Sequence, residues 1–220
     1  MSERVSEQPT LKREFELLLS DGVRPFLRSR GFAKTGTTFR RHRESLYDVI
    51  GFQEDWHNGV RPWHGFFINV GIGSAEVDAT WPYKGPKLPI GYLFDRRWES
   101  VVPDLPYELS FSQTTDMAGF AAALCDGLDQ VLAVIDQFDC TATLVRYAIE
   151  NNLLIQYERT CCYLATREDQ SDLMEYVGLL RDRFGHQERW AIFNREIAKV
   201  TGARTSTLVE LGLLDPMDTL

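Results

Sequence analysis

Cysteine is scarce and poorly placed for chemistry. Cys125, Cys140, Cys161 and Cys162 form no C-x-x-C pair, which argues against a zinc site or a thioredoxin-type redox centre. Cys161 and Cys162 are adjacent, and a bond between neighbours is strained. Free thiols inside helices are the expectation, in keeping with a reducing compartment. Unbroken apolar runs are missing as well. No stretch of eighteen apolar residues occurs, so no bilayer-crossing helix is predicted. The start, MSERVSEQPTLKREFE, lacks the apolar segment of a secretory signal. Catalytic signatures fail too: there is no G-x-S-x-G elbow, no Walker sequence and no H-E-x-x-H. Gly71-Ile72-Gly73 lacks the third glycine of a dinucleotide loop, and residues 74–80 do not read as a helix. No catalytic residue, metal or cofactor is assigned.

What is present is an ordinary globular composition. The 220 residues are 44% hydrophobic and 25% charged, which excludes disorder and low-complexity classes. The net charge is −8, so broad binding to phosphate backbones is disfavoured and a nucleic-acid partner is not expected. The charge is uneven. Residues 1–45 carry a net +4 and the remainder −12. On a strand Arg41 and Arg43 share one face while Arg40 and His42 share the other. The expectation is that these arginines pair with acidic groups of the same molecule.

Hydrophobic spacing changes once along the chain. Leu11, Phe15, Leu18, Leu19, Val23, Phe26 and Leu27 recur at helical intervals. Pro25 predicts a kink, or two helices meeting near Gly22, and Gly31 supplies a stop. From Phe32 the period is two: strands are predicted around 37–43, 46–53, 66–72, 90–98 and 106–112. Their short connections make an antiparallel meander. Residues 78–90 read as an irregular proline-rich excursion. After Thr114 the helical period returns. Met117, Phe120, Ala121, Leu124, Leu128, Val131, Ile135 and Phe138 form one stripe, with Thr115 or Asp116 as N-cap. Burying its larger members is worth roughly 10 kcal/mol before entropy. Further helices are predicted from Asp139 or Thr141, over 157–165, over 171–184 up to Gly185, and over 187–200 before Gly202. The tail, with Leu208, Leu211, Leu213 and Leu214, reads as a short docked helix whose end frays. The fold class is thus α+β: an N-terminal helix, a meander of about five strands, and a C-terminal helical half packed on or beside the sheet. The domains are assigned as 1–113 and 114–220.

The most informative surface is the loop around Asn58-Gly59. Trp56, His57, Arg61, Trp63 and His64 crowd into nine residues, and tryptophan and arginine dominate interface hot spots. The alternative is that these rings fold inward and cap the sheet. His57 and His64, with Asp55, make a set able to hold a transition metal, but no metal motif supports it and exposed loop histidines are expected. Asp48, a strand neighbour of Tyr47, reads as a solvated carboxylate. Arg159 beside Cys161 and Cys162 is placed to lower a thiol pKa.

The segment Pro25-Phe26-Leu27 and Gly31-Phe32-Ala33-Lys34-Thr35-Gly36-Thr37-Thr38-Phe39-Arg40, then Val49-Ile50-Gly51-Phe52-Gln53 and Phe66-Phe67-Ile68-Asn69-Val70-Gly71-Ile72, resembles a pattern of known order and spacing. It is that of a bacterial family, domain-of-unknown-function family 4304, over roughly residues 10–112. The resemblance implies a helix followed by an antiparallel sheet, turns at Gly31 and Gly36, and core positions at Phe32, Phe39 and Phe52. It implies no activity. Gln53 and Asn69 stand apart as amides on neighbouring strands, facing either a ligand or one another.

Two functional readings follow. The first is a soluble cytoplasmic protein-binding module of the immunity, inhibitor or adaptor type, not an enzyme, with a basic protein as partner and no membrane. The second is a small-molecule-binding or hydrolytic enzyme with a cleft between sheet and helices, using Gln53, Asn69, His57 or His64.

Overall fold

A computed structural model of the chain describes residues 4–83, 91–151 and 154–216. The chain divides into two compact units, residues 1–72 with 95–138, and residues 73–94 with 139–220.

The first unit opens with helix α1 (Arg4–Leu17), a π-helical turn over Leu18–Val23, and α2 (Arg24–Ser29). The predicted break is where Pro25 requires it. Proline has no N–H to offer the carbonyl four residues back and its ring collides with it. The chain widens there, the Arg24 N–H bonding to the Leu19 carbonyl, and Pro25 enters in the first turn of α2, where no N–H is needed. Gly31, at φ 85°, then ends the helical segment. The strands are β1 (Ala33–Thr35), β2 (Thr38–Arg43), β3 (Leu46–Glu54), β4 (His64–Ser74), β5 (Tyr92–Arg97) and β6 (Leu109–Phe111). They lie in the order β1-β2-β3-β4-β5, with β6 also on β4. Antiparallel registers include Phe39 opposite Ile50, Arg41 opposite Asp48, and His64 opposite Phe111. The predicted strand at 90–98 begins at Tyr92, and Ile90 lies outside the described residues.

Alternation sends Phe39, Ile50, Phe52, Phe66 and Ile68 to one buried face. Phe15 of α1 meets Phe66 at 5.2 Å between ring centroids, and Phe66 meets Phe120 at 6.2 Å. The core therefore joins the N-terminal helix, the sheet and the helix α5 (Met117–Ile135), capped by Asp116 accepting from the Ala118 N–H. Phe32, Phe39 and Phe52 are all buried, and Gly36 sits in a turn at φ 61°. The helix α4 (Trp98–Val101) brings in the buried Trp98, whose Nε1 donates to the Pro106 carbonyl at 2.7 Å. Helix α5 corrects one expectation. By length and composition it is able to span a bilayer, because a 19-residue helix tolerates Asp126 and Asp129 without an unbroken apolar run. Leu124, Leu128, Val131 and Ile135 are buried against the rest of the unit.

Asp48 overturns another expectation. It occupies the same row of β3 as Leu46, Ile50 and Phe52, and is completely buried. Its carboxylate accepts from Arg41 Nε at 2.7 Å and, in a two-pronged contact, from Arg43 Nε and Nη2 at 2.8 and 2.7 Å. Arg43 Nη1 also donates to the Phe138 carbonyl at 2.6 Å and Nη2 to Ile135 at 3.3 Å, and Arg41 reaches Asp136. Arg41 and Arg43 of β2 thus pair with acids of their own unit, and Arg30 does the same with Asp129 at 2.5 Å.

In the second unit α3 (Ala75–Thr80) stands where no helix was expected. Its signal is Ser74, whose hydroxyl accepts from the Val77 N–H at 3.3 Å, with Glu76 and Asp78 in the first turn. Helices α6 (Thr141–Glu150), α7 (Tyr157–Ala165), α8 (Ser171–Phe184), α9 (Trp190–Thr201) and α10 (Thr205–Glu210) follow, close to the predicted spans. Arg159 of α7 is buried and ion-paired with Asp78 of α3 at 2.5 Å. The tail is docked through Pro216's neighbour. Leu208 and Leu214 are buried, and Asp215 accepts from Arg181 Nη2 at 2.7 Å and Trp190 Nε1 at 2.8 Å while exchanging two hydrogen bonds with Asn194.

Replacing Asp48 tests the first unit. Asp48→Ala leaves two guanidiniums face to face without their shared anion, and urea unfolding is expected to show a loss of about 3–5 kcal/mol. A loss below about 1 kcal/mol would mean that the pair of arginines is held by other groups.

Candidate functional site

Strands β3 and β4 are joined by residues 55–63, and their tip gathers the polar and aromatic residues singled out in the sequence. The turn is built on Asp55 and Asn58. The Asn58 N–H donates to the Asp55 carbonyl at 3.0 Å, and the Asp55 N–H to the Gly65 carbonyl at 2.9 Å. The Asn58 side chain then acts as a short piece of strand: its Oδ1 accepts from the Gly65 N–H at 2.7 Å and its Nδ2 donates to the Gly65 carbonyl at 2.8 Å. Gly59 follows at φ 101°, a conformation open to glycine at little cost. Asn58 was legible only as half of an Asn-Gly turn; its role as the organiser of the tip was missed.

Asp55 is buried under the turn. It accepts from the His57 N–H at 3.1 Å, from His57 Nδ1 at 3.1 Å and from Arg61 Nη1 at 3.5 Å. The backbone hydrogen bond first, then the His57 ring and the Arg61 charge, hold its carboxyl below the usual carboxylate range. With the polar groups satisfied inside, the rings are left outside. Trp56 is 85% exposed, Val60 80% and Trp63 38%. The Arg61 guanidinium lies 5.4 Å from the centre of the Trp63 ring, and His57 packs on Trp56. The alternative in which the tryptophans turn inward is not adopted.

His64 departs from the expected exposed loop histidine. It is buried between Phe15, 4.8 Å away, and Phe111, 5.4 Å away. Its Nε2 is approached by Asn58 Nδ2 at 3.3 Å and Glu54 Oε2 at 3.4 Å. The first contact needs a lone pair on that nitrogen and the second a proton. Burial pushes the ring's pKa below 6.5, and the charge of Lys12 adds to this against the opposing Glu54, so the neutral form with Asn58 donating prevails at neutral pH. His57 and His64 thus face different partners and do not converge with Asp55. Among the described residues no trio of His, Cys, Asp or Glu is placed to share a metal ion.

The other candidates separate as well. Asn69 Nδ2 donates to Gln53 Oε1 at 3.2 Å, so the two amides face one another across β3 and β4. In the second unit burial pushes the thiols of Cys161 and Cys162 up, the reverse of the expected activation by Arg159, whose charge is engaged by Asp78. Cys162 Sγ donates to the Thr80 carbonyl at 3.2 Å.

Comparison with known families supplies one match. Residues 23–104 fit the family model described as a domain of unknown function, DUF4304. This segment is similar to that family. The matched segment begins at the end of the π-helical turn and runs through β1 to β5 and α4, so the hairpin tip lies wholly inside it, while α5 to α10 lie beyond it. No curated protein and no solved structure matches the chain.

Two measurements bear on this geometry. Asn58→Ala removes both side-chain bonds to Gly65 and is expected to cost about 1–3 kcal/mol in chemical unfolding, with amide exchange at Gly65 accelerating; unchanged exchange would show that the side chain does not hold the tip. The second concerns pH. Because the folded ring binds a proton less readily than an unfolded histidine, the unfolded chain takes up the extra proton, so His64 contributes stability that is complete above pH 6.5 and lost as the pH falls through its lowered value. His64→Phe is expected to flatten that part of the stability–pH curve, and an identical slope in the variant would contradict the assignment.

Proposed function

We propose that this chain is a non-enzymatic protein-binding module of the inhibitor, immunity or adaptor kind, working in the cytoplasm, and that the tip of the β3–β4 hairpin is its recognition surface. The observation that carries this reading is the exposure of Trp56, Val60 and Trp63 on a turn braced from inside by the hydrogen bonds of Asp55 and Asn58. Large apolar rings held out in water by a preorganised turn lose little conformational freedom when a partner covers them. The net charge of −8 favours a basic protein as that partner, since complementary fields accelerate encounter. The enzyme reading has less to support it: the Gln53 and Asn69 amides are turned to each other and His64 is enclosed by phenylalanines.

The test compares the wild type with a Trp56→Ala, Trp63→Ala double variant. Hot-spot rings are each worth at least about 1–2 kcal/mol, so recovery of the specific partner in affinity capture is expected to weaken by at least about tenfold. Capture of the partner by the wild type is also expected to slow as salt is raised. Equal recovery of the same proteins by both forms would rule out the tip as the recognition surface.

A further inference from the structure

The positive charge of the first 45 residues is only partly neutralised. Arg30, Arg41 and Arg43 are paired with Asp129, Asp48 and Asp136. Arg24 and Arg28 are both exposed on α2, and among the described residues neither has a carboxylate within ion-pair distance. They stand four residues apart, one helical turn, where two like charges repel unless an anion lies between them. The π-helical turn before α2 has more residues per turn than an α-helix, and it brings Ser20 alongside Arg24. Ser20, Arg24, Pro25, Arg28 and Ser29 line one open pocket of about 600 Å³.

The hydroxyls of that pocket have their protons placed already. Ser29 Oγ donates to the Phe26 carbonyl at 2.7 Å, and Ser20 Oγ lies 2.9 Å from Asp21 Oδ1 and 3.3 Å from the Leu17 carbonyl. Recognition therefore falls to the guanidiniums, each a planar fork matched to two oxygens of a tetrahedral anion. Two forks one turn apart suit a single phosphate group. A nucleic-acid backbone would need a longer positive track, and the chain as a whole is acidic. We infer that the pocket formed by Ser20, Arg24, Arg28 and Ser29 binds a small phosphate-class oxyanion, either free phosphate or a phosphate monoester. This site is separate from the hairpin tip and stands or falls without it.

The full chain is titrated with inorganic phosphate, with phenyl phosphate and with a short single-stranded oligonucleotide, and the backbone and arginine side-chain N–H signals are followed by NMR. Saturable shifts confined to residues 20–29 are expected with one or both phosphates, the stronger of the two identifying free anion or monoester. Arg24→Gln with Arg28→Gln is expected to weaken binding at least about tenfold. Arg40→Gln, which removes an exposed charge from β2, is expected to leave it unchanged, with circular dichroism confirming that the variants fold. No saturable shift with either phosphate would overturn the inference. So would an equal loss in Arg40→Gln, or an oligonucleotide that saturates the two arginines at lower concentration than both phosphates.

Discussion

The architecture of the first unit depends on a buried carboxylate. Asp48 sits in a row of β3 otherwise given to leucine, isoleucine and phenylalanine, and survives there because two guanidiniums meet it with three hydrogen bonds. An isolated ion in that position would be intolerable. The arginines also carry the arrangement outward. Arg43 reaches the carbonyls of Ile135, the last residue of α5, and of Phe138 just beyond it, and Arg41 reaches Asp136 between them. One charge cluster thereby fixes the register of β2 on β3 and pins the C-terminal end of α5 to the sheet, with favourable positive charge at the negative end of the helix.

The hairpin tip obeys the same rule with the opposite visible result. Asp55, Asn58 and the backbone of Gly65 bond to one another inside the turn. Trp56 and Val60 are then the groups left facing water. An exposed leucine on a protein surface means little, and it is the clustering of exposed large apolar groups on one turn that supports the recognition surface proposed for it. His64 sits at the junction of the tip and the core. Its ring packs on phenylalanines while its nitrogen faces Asn58 and Glu54.

Much of the fold was legible from spacing. Period two up to Phe111 and period 3.6 from Met117 follow from which side of a strand or helix faces a core, and the helices at 141–150, 157–165 and 171–184 emerged close to their predicted spans. The π-helical turn was legible as a break because a proline cannot continue a helix whatever surrounds it. Helix α3 was not, since a six-residue helix beside prolines has too few apolar repeats to register and is announced only by the Ser74 cap. The candidate site was legible as composition alone: the residues crowding at 53–69 were visible, but their separation into a buried Asp55 and His64, a mutually bonded Gln53 and Asn69, and exposed tryptophans was not.

The order of turns, caps and amphipathic faces was determined by the sequence itself, because each depends on residues within a few positions of one another and on the stereochemistry of glycine, proline and alternating side chains. Which charged groups are enclosed and which rings stay in water was decided only by tertiary structure. Asp48 reads as a surface residue until Arg41 and Arg43 are placed over it, and His64 as a loop residue until Phe15 and Phe111 close on its ring. Burial is a property of distant segments brought together, and no local pattern encodes the partner that makes a polar side chain affordable inside.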